Sequence, residues 1–324
     1  MNPDMPATGQ PAVSVVMATY NGKRYLAEQL DSIANQTRRP DELLIIDDAS
    51  SDGTPEFLAA WARDKPWARI ERNPENLGIN GTFYRLLTES RGKHVFIADQ
   101  DDVWLPGKIE RMLASAGDAS LTFSDASMID GEGRPLRDSE LERHAWRVNE
   151  KITGYFFVYG NYISGHNMMV SRELITRTPP PPHASVMMYD QWIALSAMLH
   201  KGIAEVPVIL CRHRIHASNA NNNRALKKAA AAGQGRKERA QFRLKKRDGI
   251  YAALSAFAGQ DAAFDAFVRE AQEGSRNLVA RYWSAALFAA IWRRRQLFFP
   301  GAGWRKMLRR SLKLSLGGKS WFLI

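Results

Sequence analysis

Short apolar runs alternate with helical patterns over roughly the first hundred residues. The runs are rich in aliphatic and β-branched residues, which predicts buried strands. Between them, apolar residues recur three or four positions apart, which predicts helices. The predicted strands occupy residues 13–18, 43–46, 68–72 and 95–98, and the predicted helices occupy 23–35, 55–64 and 79–90. This alternation indicates an α/β fold with a mostly parallel sheet between two layers of helices.

The pattern becomes less regular in the second half of the chain. Further strands are predicted over residues 121–124 and 206–212, with a helix over 189–199 between them. The polar segment 218–223 has the composition of a linker. We therefore expect a flexible leader, one α/β domain and a basic, mainly helical C-terminal region, occupying residues 1–11, 12–220 and 221–324.

Composition narrows the class of protein. The chain has 324 residues, 45% of them hydrophobic, which excludes a wholly disordered or fibrous protein. Cys211 is the one cysteine, so neither an intramolecular disulfide nor a multi-cysteine metal site can form. The first 11 residues lack the basic and apolar regions of a signal peptide. Together these features predict a cytoplasmic protein.

Positive charge is concentrated in the C-terminal region. Residues 221–324 contain 22 Lys and Arg against 6 Asp and Glu, whereas the whole chain has a net charge of +11. The preceding part is therefore slightly acidic. Such an asymmetry indicates a polyanionic partner for the C-terminal region, either a membrane surface or a nucleic acid.

Acidic residues follow two of the predicted strands. In parallel sheets, ligands bind beyond the carboxyl ends of the strands. Three carboxylates in Asp99-Gln100-Asp101-Asp102 can bind a hard cation such as Mg²⁺ or Mn²⁺, although a solvated turn or a helix N-cap would have the same composition. A carboxylate of Asp47-Asp48 can accept hydrogen bonds from a nucleobase or a ribose, or the pair forms a helix N-cap or a turn with Ser50 and Ser51.

Two later segments carry further candidates. Asp190 lies among Met, Tyr and Trp residues at the start of a predicted helix, where desolvation would suit a general base. The alternative for Asp190 is a plain N-cap. After the last predicted strand, His213 and His216 can bind a metal ion and Arg214 can bind a diphosphate, or all three are ordinary surface residues before the linker.

Four segments together resemble glycosyltransferase family 2, and in particular its bacterial rhamnosyltransferase-like branch. They read SVVMATYNGKRYLAEQLDSIANQT, LLIIDDASSDGT, NLGINGTFYRLL and ADQDDVWLPGKI. Three later segments follow in the order that the family shows: GNYISGHNMMVSREL, MMYDQWIAL and HRIHASN. The resemblance covers about residues 12–220. Where the branch often has His-Asp-Trp-Trp, this chain has Tyr189-Asp190-Gln191-Trp192.

The resemblance implies a GT-A fold and inverting transfer of a sugar from a nucleotide-sugar donor to a hydroxyl of a growing, lipid-linked cell-surface polysaccharide. It also implies roles for residues of this chain. Asp190 would be the catalytic base. The donor would be bound by Thr19, Tyr20, Asn21, Asp48, Asp99 and Arg214. A Mn²⁺ or Mg²⁺ ion on the donor diphosphate would be held by Asp99, Asp101, Asp102 and His216.

Two other functions compete with this interpretation. A nucleotidyltransferase would need a basic nucleotide-binding loop near the first strand, where the chain offers only Lys23 and Arg24. A nucleic-acid-binding protein that used the basic region would not need the carboxylate cluster. We therefore expect a nucleotide-sugar donor and a saccharide acceptor as partners, and no nucleic acid.

The C-terminal region also predicts a location. The most apolar stretch, residues 278–292, has 15 residues and contains Arg281, whereas a bilayer span needs about 20 apolar residues. Over 278–324, aromatic and aliphatic residues are interleaved with cations, as in helices that lie in a membrane interface. We therefore expect peripheral association with the inner face of the cytoplasmic membrane. The alternative is that the apolar residues pack on the enzyme and only the charges face water.

Overall fold

The computed structural model describes residues 12–141, 154–217, 219, 236–276, 283–299 and 302–316. They form two compact units. Described residues of the first unit are 12–141, 161–184 and 188–215, and those of the second are 154–160, 185–187 and the described residues from 216 onward. The predicted leader 1–11 lies outside the described residues, as does the predicted linker 218–223 apart from Asn219.

Strands and helices alternate from the start of the first unit, as the sequence predicted. The strands are β1 Val13–Thr19, β2 Glu42–Asp47, β3 Ala68–Arg72, β4 His94–Ala98, β5 Val103–Trp104, β6 Leu121–Asp130, β7 Pro135–Arg137, β8 Met168–Ser171 and β9 Ile203–Ile215. The helices are α1 Lys23–Ala34, α2 Thr54–Ala62, α3 Gly78–Glu89, α4 Lys108–Ser115, α5 Gly154–Tyr159, α6 Arg172–Arg177, α7 Tyr189–Leu199, α8 Arg236–Leu254, α9 Ala262–Ser275, α10 Ala285–Arg293, α11 Arg295–Phe298 and α12 Trp304–Ser315.

The strands form one mixed sheet in the order β3-β2-β1-β4-β8-β6-β9-β5, with β7 paired to β6. β1 is parallel to both β2 and β4, and every residue of β2 is buried. Thr19 pairs with Asp47, and Met17 pairs with Ala98, so these three strands end at the same edge. The predicted α/β class with a mostly parallel central sheet is confirmed.

Several short elements were not predicted. β8 lies between β4 and β6 and is antiparallel to both, and β5 consists of two residues paired with β9. These strands depend on pairing with residues far away along the chain, which periodicity does not report. β9 is also longer than predicted, because His213, Arg214 and Ile215 continue its pairing with β6. That continuation matters for the site described below.

Aromatic rings form much of the core of the second unit. Tyr155 lies 5.3 to 5.5 Å, between ring centroids, from Phe264, Phe267 and Phe298. α9 and α10 approach closely at Gly274, where a Cβ would lie 2.7 Å from the backbone nitrogen of Leu287. None of the described helices combines the length and the apolar character needed to cross a membrane.

The last described helix, α12, has one buried face and one basic face. Met307, Ser311 and Ser315 are buried at intervals of four residues. The Trp283 indole donates a hydrogen bond to Ser315 Oγ at 2.7 Å, and Arg247 Nη2 donates one to the Leu316 carbonyl at the same distance. The opposite face is exposed and carries Arg305, Lys306, Arg309, Arg310 and Lys313.

Burial in the central sheet should determine stability. Leu43 of β2 belongs to the main apolar core and is fully buried, whereas Leu136 of β7 is 56% exposed. We predict that Leu43→Ala lowers the free energy of unfolding by about 2–5 kcal/mol, because it leaves a cavity. The matched change Leu136→Ala should alter it by no more than about 0.5 kcal/mol. Denaturant unfolding measures both, and equal losses would contradict this description of the core.

Candidate active site

The acidic run after β4 contains carboxylates in different environments. Asp99 has a side chain that is 37% exposed, whereas Asp102 is fully buried. Asp102 accepts a hydrogen bond from the backbone N–H of Arg214 at 2.9 Å and lies 3.8 Å from Cys211 Sγ. Burial raises the pKa of Asp102 to about 6. The run is therefore anchored to β9 through Asp102, while Asp99 is accessible to a ligand.

His166 lies between two sets of carboxylates. Its Nδ1 is 3.5 Å from Asp99 Oδ2 and 3.7 Å from Asp102 Oδ2, and its Nε2 is 3.3 Å from Glu140 Oε2. Burial disfavours the imidazolium, but these carboxylates outweigh it and raise the pKa of His166 well above its usual value. Lys108 fixes this turn, because its buried ammonium donates to the His166 carbonyl at 2.6 Å.

Two groups of potential metal ligands result. Within each group, the ligand atoms all lie within 4.8 Å of one another; one group is Asp99, Asp102 and His166, and the other is Glu140, His166 and His213. Burial opposes ionisation of Glu140, but contacts with His166 and His213 hold the pKa of its carboxyl well below its usual range. His213 was among the candidates predicted from the sequence, whereas Glu140 and His166 were not, because they have no recognisable spacing to the acidic run.

The other predicted metal ligands are placed differently. Asp101 is largely buried. His216 is the residue directly after β9 and belongs to the second unit. The backbone N–H of His216 donates to Asn219 Oδ1 at 2.5 Å. Among the described residues, neither Asp101 nor His216 belongs to one of the two ligand groups.

The loop after β1 joins the ends of the neighbouring strands. Thr19 Oγ1 donates to Asp47 Oδ1 at 3.1 Å, and the backbone N–H of Tyr20 donates to Gln100 Oε1 at 2.9 Å. Asn21 has a left-handed backbone (φ 49°), and its amide oxygen accepts a hydrogen bond from the backbone N–H of Ser51. The Tyr20 side chain is 51% exposed. The loop is thus fixed by its backbone and leaves an aromatic ring available to a ligand.

The two aspartates after β2 have separate structural roles. Asp47 forms a turn with Ser50, whose backbone N–H donates to Asp47 Oδ2 at 3.0 Å. Asp48 accepts hydrogen bonds from the backbone N–H groups of Leu77 and Gly78 at 2.8 and 3.0 Å and from Asn73 Nδ2 at 2.6 Å. The turn proposed from the sequence therefore belongs to Asp47, and Asp48 holds the start of α3 in place.

Arg214 is bonded to the protein rather than exposed. Its Nε donates to the Asp101 carbonyl at 2.8 Å, and its Nη2 donates to Glu28 Oε2 at 2.5 Å. Its guanidinium carbon lies 4.9 Å from the centre of the Tyr25 ring. Through these contacts the arginine supports the backbone of the acidic run.

Asp190 lies in the first turn of α7, which is packed against α3. The backbone N–H of Tyr189 donates to Asn80 Oδ1 at 2.9 Å, and the Tyr189 ring stacks on Phe83 at 4.0 Å. Close packing at Gly165 completes this arrangement, since a Cβ there would lie 2.0 Å from Tyr189 Oη. Burial and the charge of Asp99 raise the pKa of Asp190 to about 7. The start of α7 is therefore fixed by the contacts of Tyr189, and the Asp190 carboxyl lies within the electrostatic influence of the acidic run.

Sequence comparison identifies relatives of the chain. A family model described as glycosyl transferase family 2 matches residues 14–177. An uncharacterized glycosyltransferase of Methanocaldococcus jannaschii is 30% identical over 199 residues, which are 59% of this chain and 67% of that protein. A Bacillus subtilis protein named for teichuronic acid biosynthesis, TuaG, is 30% identical over 129 residues, 39% of this chain and 51% of that protein. The aligned part thus spans about half to two thirds of these relatives.

Solved structures show the same fold. S. aureus TarS 1–349 in complex with UDP-GlcNAc has a TM-score of 0.56 at 16% identity, over 88% of this chain and 81% of TarS. The mannosyltransferase PcManGT of Pyrobaculum calidifontis, in complex with GDP-Man and Mn²⁺, has a TM-score of 0.52 at 19% identity, over 97% of this chain and 86% of that one. The GT-A fold that the resemblance implied is confirmed. With the family model covering half of its length, the chain belongs to glycosyltransferase family 2.

Proposed function

We propose that this chain is an inverting, metal-dependent glycosyltransferase that moves a sugar from a nucleotide-sugar donor to a hydroxyl of a growing, lipid-linked cell-surface polysaccharide. The observation that carries the proposal is the placement of Asp190, in the first turn of α7, close enough to the accessible carboxylate Asp99 for the charge of Asp99 to raise the pKa of Asp190. Such a pair supplies a base on one side of the reacting carbon and a diphosphate-binding site on the other.

The donor would bind at the shared carboxyl edge of β1, β2 and β4. Thr19, Tyr20, Asn21 and Asp48 are the proposed nucleoside contacts. The exposed Tyr20 ring is suited to stacking on a base, and Asp48 Oδ2, which accepts the Gly78 N–H, has capacity for a second hydrogen bond. TarS with UDP-GlcNAc and PcManGT with GDP-Man support a nucleotide-sugar donor. Arg214, also proposed as a donor contact, would act by holding the Asp101 backbone in place.

The diphosphate would be neutralised at the acidic run. Asp99, Asp101, Asp102 and His216 are the proposed residues for Mn²⁺ or Mg²⁺, and the carboxylate oxygens among them suit such hard cations. The Mn²⁺ in the PcManGT structure supports a divalent ion here. When bound, the ion would act as a Lewis acid on the leaving diphosphate.

Asp190 would remove the proton from the acceptor hydroxyl. The new bond forms at the anomeric carbon as the bond to the diphosphate breaks on the opposite face, which inverts the configuration. TuaG supports a polysaccharide product, and the resemblance to the rhamnosyltransferase-like branch favours a rhamnosyl donor.

A screen of nucleotide sugars that measures nucleoside diphosphate release with Mn²⁺ or Mg²⁺ present tests this assignment. Release from none of them would contradict it.

The basic face of α12 supports peripheral membrane association. Leu287, Ile291, Phe298 and Phe299, which could have entered a membrane, are instead buried in the protein. These residues therefore do not supply an exposed apolar surface, whereas Leu278 and Tyr282 lie outside the described residues. Trp304, at the start of α12, is 62% exposed with the Arg305 guanidinium over its ring, and together with the basic face of α12 it suits an anionic lipid surface.

The first prediction concerns the metal. Asp101→Ala should abolish transfer, because it removes a proposed metal ligand. It should leave the fold intact, because removing one of three neighbouring carboxylates relieves repulsion. The exposed control Asp64→Ala should keep normal turnover, and a chelator should inhibit the wild type. Product formation and thermal unfolding measure these effects. Near-normal turnover in both Asp99→Ala and Asp101→Ala, or no effect of the chelator, would refute the metal assignment.

The second prediction concerns the base. Asp190→Asn should lower turnover by roughly 10²–10⁴-fold and leave donor binding almost unchanged, since the base faces the acceptor. A base acts only when ionised, so wild-type turnover should rise as pH increases through about 7 and then level off. This rise should be lost in Asp190→Asn. Steady-state kinetics and donor titration test both points; lost donor affinity with normal turnover would place Asp190 in the donor site.

The third prediction concerns the membrane. Because Leu287, Ile291 and Phe298 of the C-terminal region are buried, point variants test membrane association better than truncation does. Reversing Arg309 and Arg310 to Glu should weaken binding to anionic vesicles by at least about 30-fold, at about 1 kcal/mol for each cation lost. The matched reversal of the exposed Arg24 and Arg134 in the first unit should have a smaller effect. Sedimentation at low and high salt measures binding; equal binding by both double variants would exclude α12.

A further inference from the structure

Glu140, His166 and His213 form a second cluster beside the acidic run. Glu140 Oε2 lies 3.3 Å from His166 Nε2 and 3.5 Å from His213 Nδ1. Neither approach has the geometry of a hydrogen bond. His166 is 2% exposed, and among the described residues its Nε2 has no hydrogen-bond partner. A buried imidazole nitrogen in this state requires an explanation.

These distances match those between ligands that share one metal ion. Zinc binds imidazole nitrogen and carboxylate oxygen at about 2.0–2.2 Å, and tetrahedral angles then separate the ligand atoms by about 3.3–3.5 Å. Two histidines and one carboxylate also leave a position open for a fourth ligand. His213 is partly exposed, so solvent can reach this position.

The second nitrogen of His166 supports the same conclusion. A histidine that binds a metal through one nitrogen usually donates its other N–H to a carboxylate. Here Nδ1 faces Asp99 and Asp102 at 3.5 and 3.7 Å. The two imidazole rings lie 4.4 Å apart between centroids, and Glu140 Oε2 lies within 3.5 Å of a nitrogen of each ring. One metal ion placed among these three atoms would be bound by all of them.

We propose that Glu140, His166 and His213 bind one divalent ion of the kind that prefers imidazole, such as Zn²⁺ or Co²⁺, at a site separate from the oxygen-ligand site proposed for the donor. The ion fixes the His166 tautomer, with its Nδ1–H directed toward Asp99 and Asp102. His166 is then a positioning residue for the acidic run. The inference rests on the geometry of these side chains and does not require the proposed transfer activity.

The test is metal binding by the full chain. Protein stripped with a chelator and kept in excess Mg²⁺, to fill the oxygen-ligand site, is titrated with Co²⁺ while visible absorption and bound cobalt are measured. Wild type should bind one Co²⁺ tightly, with the absorption of a nitrogen-ligated, four- or five-coordinate ion. His213→Asn and Glu140→Gln, which nearly preserve side-chain shape, should each lose this signal. Asp101→Ala, in the site proposed for the donor, should keep it.

Thermal unfolding provides a second measurement and a folding control. Co²⁺ at about 100 times its Kd should favour the folded wild type by roughly 100-fold and raise its Tm, with no such shift in His213→Asn or Glu140→Gln. The metal-free His213→Asn and Glu140→Gln proteins should each unfold cooperatively, which shows that they are folded. If one of them does not fold, the Co²⁺ binding of the other variant tests the proposal. An unchanged Co²⁺ spectrum in both variants, or no tight Co²⁺ binding by wild type, would overturn the proposal. If the wild type does not bind Co²⁺ tightly, His166 is instead an imidazolium held between carboxylates. Loss of Co²⁺ in Asp101→Ala alone would assign the ion to the donor site.

Discussion

The fully buried carboxylate of Asp102 is the constraint on which the acidic edge of the sheet depends. A buried charge is costly unless it is paired and hydrogen-bonded. β9 meets this requirement by extending far enough to donate the Arg214 backbone N–H, while His166 approaches from the other side. The carbonyl of His166 is in turn held by the buried ammonium of Lys108. Compensation of one buried charge thus connects β4, α4, β9 and the turn at 165–167.

This network leaves Asp99 as the accessible member of the run. Asp102 and Arg214 hold the backbone from behind, so Asp99 can face a ligand without carrying the structural role itself. The first unit applies the same principle elsewhere. Asp48 holds the start of α3 through backbone N–H groups, and Asn80 of α3 holds the start of α7. The start of α7, where Asp190 lies, is therefore linked to the end of β2 through α3, by hydrogen bonds between elements that are distant in the sequence.

The C-terminal region shows how one composition can serve two purposes. Its aromatic and aliphatic residues provide the core of the second unit, because Phe264, Phe267 and Phe298 pack around Tyr155. The cations that accompany them remain on the surface of α12, where water solvates them. A sequence in which apolar and basic residues alternate can therefore supply both a folded core and a basic surface.

The sequence by itself determined the parallel sheet, because the apolar runs of β1, β2 and β4 and the helical spacing between them are local patterns. It also indicated the acidic edge, since Asp48 and Asp99 directly follow those strands. The tertiary structure decided which carboxylates are buried and which imidazoles approach them. Glu140, His166 and His213 come from segments far apart in the chain, and no local pattern reports their proximity. The pairing of β6 with β8 and β9, the turn before β8 and the hydrogen bond from the Glu140 N–H to the Ala126 carbonyl of β6 bring these side chains together, because hydrogen bonds to the sheet fix the positions of residues that the sequence keeps apart.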